Sequence, residues 1–173
     1  MGIYLGIPIL ALAVVLQTTF IPQIRIFGGE PDLAFLIVLA WSVHSRLEQN
    51  VTWAFVAGIM QDLMSAAPLG TSIPGLLIVI FAMDYLKRQL YGVTLPLIIL
   101  MVLIGTVIAE LMFIVIITLS GFRVQLVETL TYVVLPTMGY NLLFFGPIYG
   151  FVRLIQRWFS RDEPVFTRDL TRG

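Results

Sequence analysis

Asp62 stands in an otherwise apolar run, Gly58-Ile59-Met60-Gln61-Asp62-Leu63-Met64-Ser65. A carboxylate at the centre of a hydrocarbon layer costs about 2.5–3.5 kcal/mol on insertion scales, so it marks a site or a satisfied structural contact. Ala54, Gly58 and Asp62 are spaced by four and share one helix face. Small residues at that spacing admit a neighbouring helix closely, which turns Asp62 toward an interface and away from lipid. Its oxygens can serve a pocket or a partner, or they can accept hydrogen bonds from the turn-rich stretch between Ser65 and Gly75. Glu110 comes second, with Thr106 one turn earlier and Gly105 and Ala109 alongside. It reads either as a ligand or proton group or as a hydrogen-bonded residue that sets helix packing. Asn141 comes third, in a segment that also holds Pro136, Tyr140, Gly146, Pro147 and Gly150. Prolines inside a helix remove hydrogen bonds and invite kinks, so this segment either lines a cavity or adapts its packing. Gly146-x-x-x-Gly150 has the spacing of a helix-contact motif.

Other chemistries are excluded by what is missing. The chain has no cysteine and one histidine, which removes disulfides, thiolate chemistry and multi-histidine metal sites. His44 reads as an interface residue. Ten basic and ten acidic residues give no positive field for nucleic acid. No nucleophile elbow, phosphate-binding loop, zinc-protease motif or dinucleotide fingerprint occurs. No enzyme activity, cofactor or metal is expected. Internal repeats with matching broken helices, the mark of many secondary transporters, are absent too. What remains is a bundle that binds something: a partner protein, a lipid or a small ligand.

The elements that must carry these residues follow from composition. Of 173 residues, 59% are hydrophobic and 12% charged, and the mean hydropathy is +0.99. A soluble domain carries about 25% charged residues, so this chain lacks the polar surface of one. The reading is an all-α membrane protein of six transmembrane helices in one domain over 1–159, followed by a polar cytoplasmic tail over 160–173. The spans run Ile3–Phe20, Pro31–Ser45, Asn50–Met64, Ile73–Tyr85, Val93–Ser120 and Glu128–Trp158. Pro31 falls in a first helical turn, where its missing N–H costs nothing, and Asp32 suits the positive end of a helix dipole. The second and third spans are short, about 24 Å at most, and form a tight hairpin or a re-entrant pair around the polar linker 46–50. Trp41, Trp53 and Trp158 fall where interfacial aromatic belts are expected. An N-terminus on the inside puts Arg46, Lys87, Arg88, Arg153, Arg157, Arg161, Arg168 and Arg172 in the cytoplasm and leaves Arg25 and Arg123 outside. The positive-inside bias therefore predicts N-in and C-in, with Arg153, Arg157 and Arg161 on one face that favours anionic lipid.

The stretch Gly58 to Gly70 reads G-I-M-Q-D-L-M-S-A-A-P-L-G, and Pro31-Asp32-Leu33 precedes it after the first helix. Together they resemble the signature of the MreD family, the rod shape-determining membrane proteins of bacteria. Ala66 departs from the pattern, in which glycine commonly follows the serine. The resemblance implies a non-enzymatic scaffold of the cell-elongation machinery in the bacterial inner membrane. Its partners would be a single-span MreC-like protein, MreB filaments, and a RodA-type glycosyltransferase with its transpeptidase, within membrane lipid. The matched residues would be Pro31, Asp32, Gly58, Asp62, Ser65, Pro68, Leu69 and Gly70, with Asp62 and Ser65 holding the Pro68-Leu69-Gly70 turn at an outward-facing cleft or partner surface. The family is also similar to the substrate-binding S components of energy-coupling-factor transporters, which makes a small-molecule-binding S component the alternative. The Ala-x-x-x-Ala docking motif of those proteins is missing: Ala11 is followed four later by Val15, and Ala13 by Gln17.

Overall fold

A computed structural model describes residues 2–24, 28–89, 94–122 and 124–159. The elements are α1 (Gly2–Thr19), α2 (Ile21–Ile24), α3 (Leu33–Ser42), α4 (Leu47–Met64), α5 (Ile73–Gln89), α6 (Leu95–Leu119), α7 (Leu126–Thr129), a π-helical turn (Leu130–Val134) and α8 (Leu135–Phe159). Everything regular among the described residues is helical, and six of the helices reach ten residues or more. Gly6–Gln23 and Leu95–Leu119 are long and apolar enough to cross a membrane.

α3 organises the rest. Its sequence, LAFLIVLAWS, is apolar all round, and a helix of that kind must be enclosed. From Ala34 to Ser42 every residue is buried, against α1, α4, α5 and α8. Neighbouring contacts run α1 to α4, α4 to α5, α5 to α6 and α6 to α8, so five longer helices wrap one short one. Ten residues give α3 about 15 Å, whereas the 25 residues of α6 give about 37 Å. The mismatch leaves space beyond the ends of α3.

Both ends of α3 are satisfied by side chains, the start by the residue before it and the far end by residues of other helices, because the terminal N–H and C=O groups of a buried helix have no other partners. Asp32 caps the start, accepting from the Phe35 N–H at 3.0 Å. At the far end Lys87 of α5 donates to the carbonyls of Ser42 at 2.6 Å and Ser45 at 3.0 Å. Asn50 adds a long contact to Ser42 O at 3.5 Å, a close contact to the Ser45 hydroxyl, and is itself buried. Burial pushes the Lys87 ammonium below the usual lysine value; the Asp84 carboxylate opposes this and Arg88 adds to it. Arg88, by contrast, is an exposed partner of Asp84 at 2.7 Å. Lys87→Met should therefore lower thermal stability by about 1–3 kcal/mol, the cost of stranding buried carbonyls. Arg88→Met should change it by under about 0.5 kcal/mol. Melting of the two variants in one detergent checks this, and equal curves would remove the cap from the account.

Several expectations need correction. The linker is shorter than 46–50, since α4 begins at Leu47 and runs 18 residues, about 27 Å; only α3 is short. Pro31 lies before the cap residue Asp32 and outside the first turn. Trp41 and Trp53 form no interfacial belt: both are buried and stack with ring centroids 4.8 Å apart. The last span is interrupted, because Pro136 cannot donate a backbone hydrogen bond and a wide turn precedes it, closed by Leu135 N–H to Leu130 O. Among the described residues Gly146 and Gly150 meet no other helix; a Cβ at either would find open space. The start at Val93, the charges Arg25, Arg123, Arg161, Arg168 and Arg172, the Trp158 side chain and the 160–173 tail lie outside the described residues.

Candidate functional site

The chain reverses between α4 and α5 through a corner built on Asp62. Its carboxylate, in the last turn of α4, accepts from Gly70 N–H at 2.7 Å and from Ser72 N–H at 3.1 Å. Ser65 Oγ donates to Asp62 O at 3.2 Å and accepts from Ala67 N–H at 3.2 Å. Pro68 O accepts from the Thr71 hydroxyl at 2.6 Å. Gly70 has φ +94°, a left-handed conformation in which a side chain is strained. Gly58 lets the start of α5 in: a Cβ there would lie 2.7 Å from Ile73 Cγ1 and 3.0 Å from its Cα. Asp62 is 2% exposed, so its oxygens serve the corner. At the apex Leu69 is 70% exposed, held outward by backbone that has little freedom left.

Beside this corner lies a crevice of about 460 Å³, in the space left beyond the start of α3. Gln17 of α1, Glu30 and Asp32 before α3, Gln61 and Ser65 of the α4 end, Ser72, Glu110 of α6 and Thr137 of α8 supply its polar lining. A hydrogen-bonded chain runs beneath it. Gln61 Nε2 donates to Asp32 Oδ1 at 2.6 Å. The Asp32 N–H donates to Asn141 Oδ1 at 2.8 Å, and Asn141 Nδ2 donates to Thr106 Oγ1 at 3.0 Å. Thr106 in turn donates to Val102 O at 2.7 Å. Gln17 Oε1 accepts from Ala34 N–H at 3.3 Å, and Thr137 Oγ1 from Glu30 N–H at 3.3 Å. Residues from α1, α3, α4, α6 and α8 are thereby linked through a few buried polar groups, the arrangement that specifies one packing when every member is satisfied.

The structure thus separates the expected residues into two connected sets. Gly58, Asp62, Ser65, Pro68, Leu69 and Gly70 make the corner, while Asp32, Glu110 and Asn141 belong to the crevice and its floor. Pro31 adjoins the cap. Gln17, Gln61 and Thr137 were missed. The signal was present for the first two, a carboxamide within an apolar helical run, which is costly unless it has partners. Among the described residues no group of three or more His, Asp or Glu could hold a metal ion.

The helices expose large apolar side chains, while a few polar ones sit within a core that is otherwise apolar. Leu12, Leu143 and Leu154 are exposed on helix faces, whereas Asn50, Asp62, Thr106 and Asn141 are buried. Exposed apolar helix faces, with two helices long and apolar enough to cross a membrane, fit a helical membrane protein with a polar crevice at one end. The chain belongs to the MreD family: the family model described as rod shape-determining protein MreD matches residues 2–159. It is therefore a member of a membrane-protein family that determines cell shape, and its role lies in rod shape determination. No curated protein and no solved structure matches the chain. The expected likeness to S components accordingly gains no support from solved structures.

Proposed function

We propose that the protein is a non-enzymatic scaffold of the bacterial elongation machinery. It spans the inner membrane six times with both termini inside, and it holds a single-span MreC-like partner at the Asp62 corner and the adjoining crevice. In this reading it works beside MreB and the RodA-type synthase pair and regulates where peptidoglycan is made. The observation that carries the reading is the outward projection of Leu69 from a turn locked by Asp62, next to an open polar crevice. An apolar knob on a rigid support loses little entropy on docking, which suits a binding surface. Exposed Leu63 and Met64 continue the apolar rim.

Affinity purification from bacterial membranes in mild detergent tests it. Leu69→Glu should leave the protein folded and reduce recovery of the single-span partner by about tenfold, the loss of one buried anchor at an interface. Unchanged recovery would exclude the corner. The crevice also favours a second reading, small-molecule binding as an S component; recovery of an ATPase-driven transport module in the same experiment would select it.

A further inference from the structure

Toward the end of the bundle away from the crevice, α8 carries Gly146, Gly150, Arg153 and Arg157. Their spacings of four, three and four keep them on one helix face. That face is open. A Cβ at either glycine would meet nothing within 4 Å, and both arginines are exposed. The result is a shallow apolar furrow that ends in two guanidinium groups one turn apart. α8 contains no acidic residue.

Other elements add to the charge. His44, in the turn between α3 and α4, lies 6.0 Å centroid to centroid from the Tyr149 ring, one turn before Arg153. It feels the positive charges of Arg153, Lys87 and Arg157. Asp84 is committed to Arg88 at 2.7 Å with Lys87 at 3.9 Å. The exposed Glu48 of α4 is not among the charges acting on His44. Positive charge from α5 and α8 therefore converges here, and Arg153 and Arg157 have no carboxylate partner among the described residues.

We propose that this end of α8 binds an anionic phospholipid, with Arg153 and Arg157 holding the phosphate and the glycine furrow seating an acyl chain. Guanidinium forks match phosphate oxygens in geometry as well as charge. Exposed Leu154 borders the furrow on one side with apolar surface suited to a lipid chain. The site is separate from the partner corner and does not depend on it.

The test uses the purified full chain in mixed micelles holding equal phosphatidylglycerol and phosphatidylethanolamine, with retained lipids counted by native mass spectrometry. The expected result is a preference for phosphatidylglycerol of about tenfold or more, since each basic residue near an anionic lipid surface contributes a factor of about five. Arg153→Gln with Arg157→Gln should bring the two lipids to parity, and Arg153→Lys with Arg157→Lys should keep only part of the preference, since lysine retains the charge without the fork. Gly146→Leu with Gly150→Leu should shorten retention of both lipids by filling the furrow. Parity in the unaltered protein, or a preference that survives the double glutamine variant, would overturn the proposal. So would removal of the preference by millimolar inorganic phosphate, which would mark a free-phosphate site, or displacement of lipid by a co-purifying helical protein on the glycine face.

Discussion

Asp62→Ala is expected to unlatch the corner between α4 and α5. Two backbone donors, Gly70 N–H and Ser72 N–H, lose their acceptor at once, and the acceptor they lose is ionisable and buried. Hydrogen bonds to charged groups contribute about 1.5–3 kcal/mol each, so the variant should lose about 3–5 kcal/mol. For a chain of this size that lowers the melting temperature on the order of 10 °C. Asp62→Asn keeps one acceptor oxygen and should fall between. Asp84→Ala removes only an exposed pair with Arg88 and a distant contact with Lys87, and should lose under about 1 kcal/mol. Thermal unfolding in a single detergent ranks the three. Equal, small losses at positions 62 and 84 would remove the corner from the account. Recovery of the partner should follow the same order, because a mobile turn presents Leu69 poorly.

The second large effect belongs to Asn141. Its carboxamide receives the Asp32 N–H and donates to Thr106, which joins the start of α3 to α6 and α8. Asn141→Leu leaves the Asp32 N–H stranded beneath the crevice and removes a donor from Thr106, whose hydroxyl keeps its bond to Val102 O, at a cost of about 1–3 kcal/mol. The damage should be local to the crevice floor, so hydrogen exchange at residues 32–36 should rise more than exchange at the Lys87 end. Thr106→Val should lose less, about 1 kcal/mol, because Asn141 would still accept from Asp32. An Asn141→Leu variant as stable as the parent would mean that this link is dispensable for packing.

The contrast between these two residues explains what the sequence could disclose. Asp62 and its turn lie within ten residues of one another, and the helix spacing of Ala54, Gly58 and Asp62 already points the carboxylate inward. Local chemistry sufficed there. The partners of Asn141 are 35 and 109 residues away, and only packing decides which of many apolar helices meet. The helical segments were legible for the same reason as the corner, because hydropathy and turn residues are local. Full enclosure of α3 was not, although its uniformly apolar composition allowed it. Lys87 read as one more cytoplasmic cation; its use as a cap for α3, 45 residues away, depends on the lateral contact of α3 and α5. The crevice follows from a difference in helix length that became visible once α3 proved to be ten residues long.

Site-specific photo-crosslinking tests directly whether the partner sits on the corner. A benzophenone side chain in place of Leu69 would be compared with one in place of Ile104, which is also exposed but lies on α6. Both proteins would be irradiated in membranes of growing rod-shaped cells. A covalent adduct with a single-span MreC-like protein is expected from position 69, with only lipid or background products from position 104. Adducts with that partner from position 104 alone, or with a transport module from position 69, would contradict that placement.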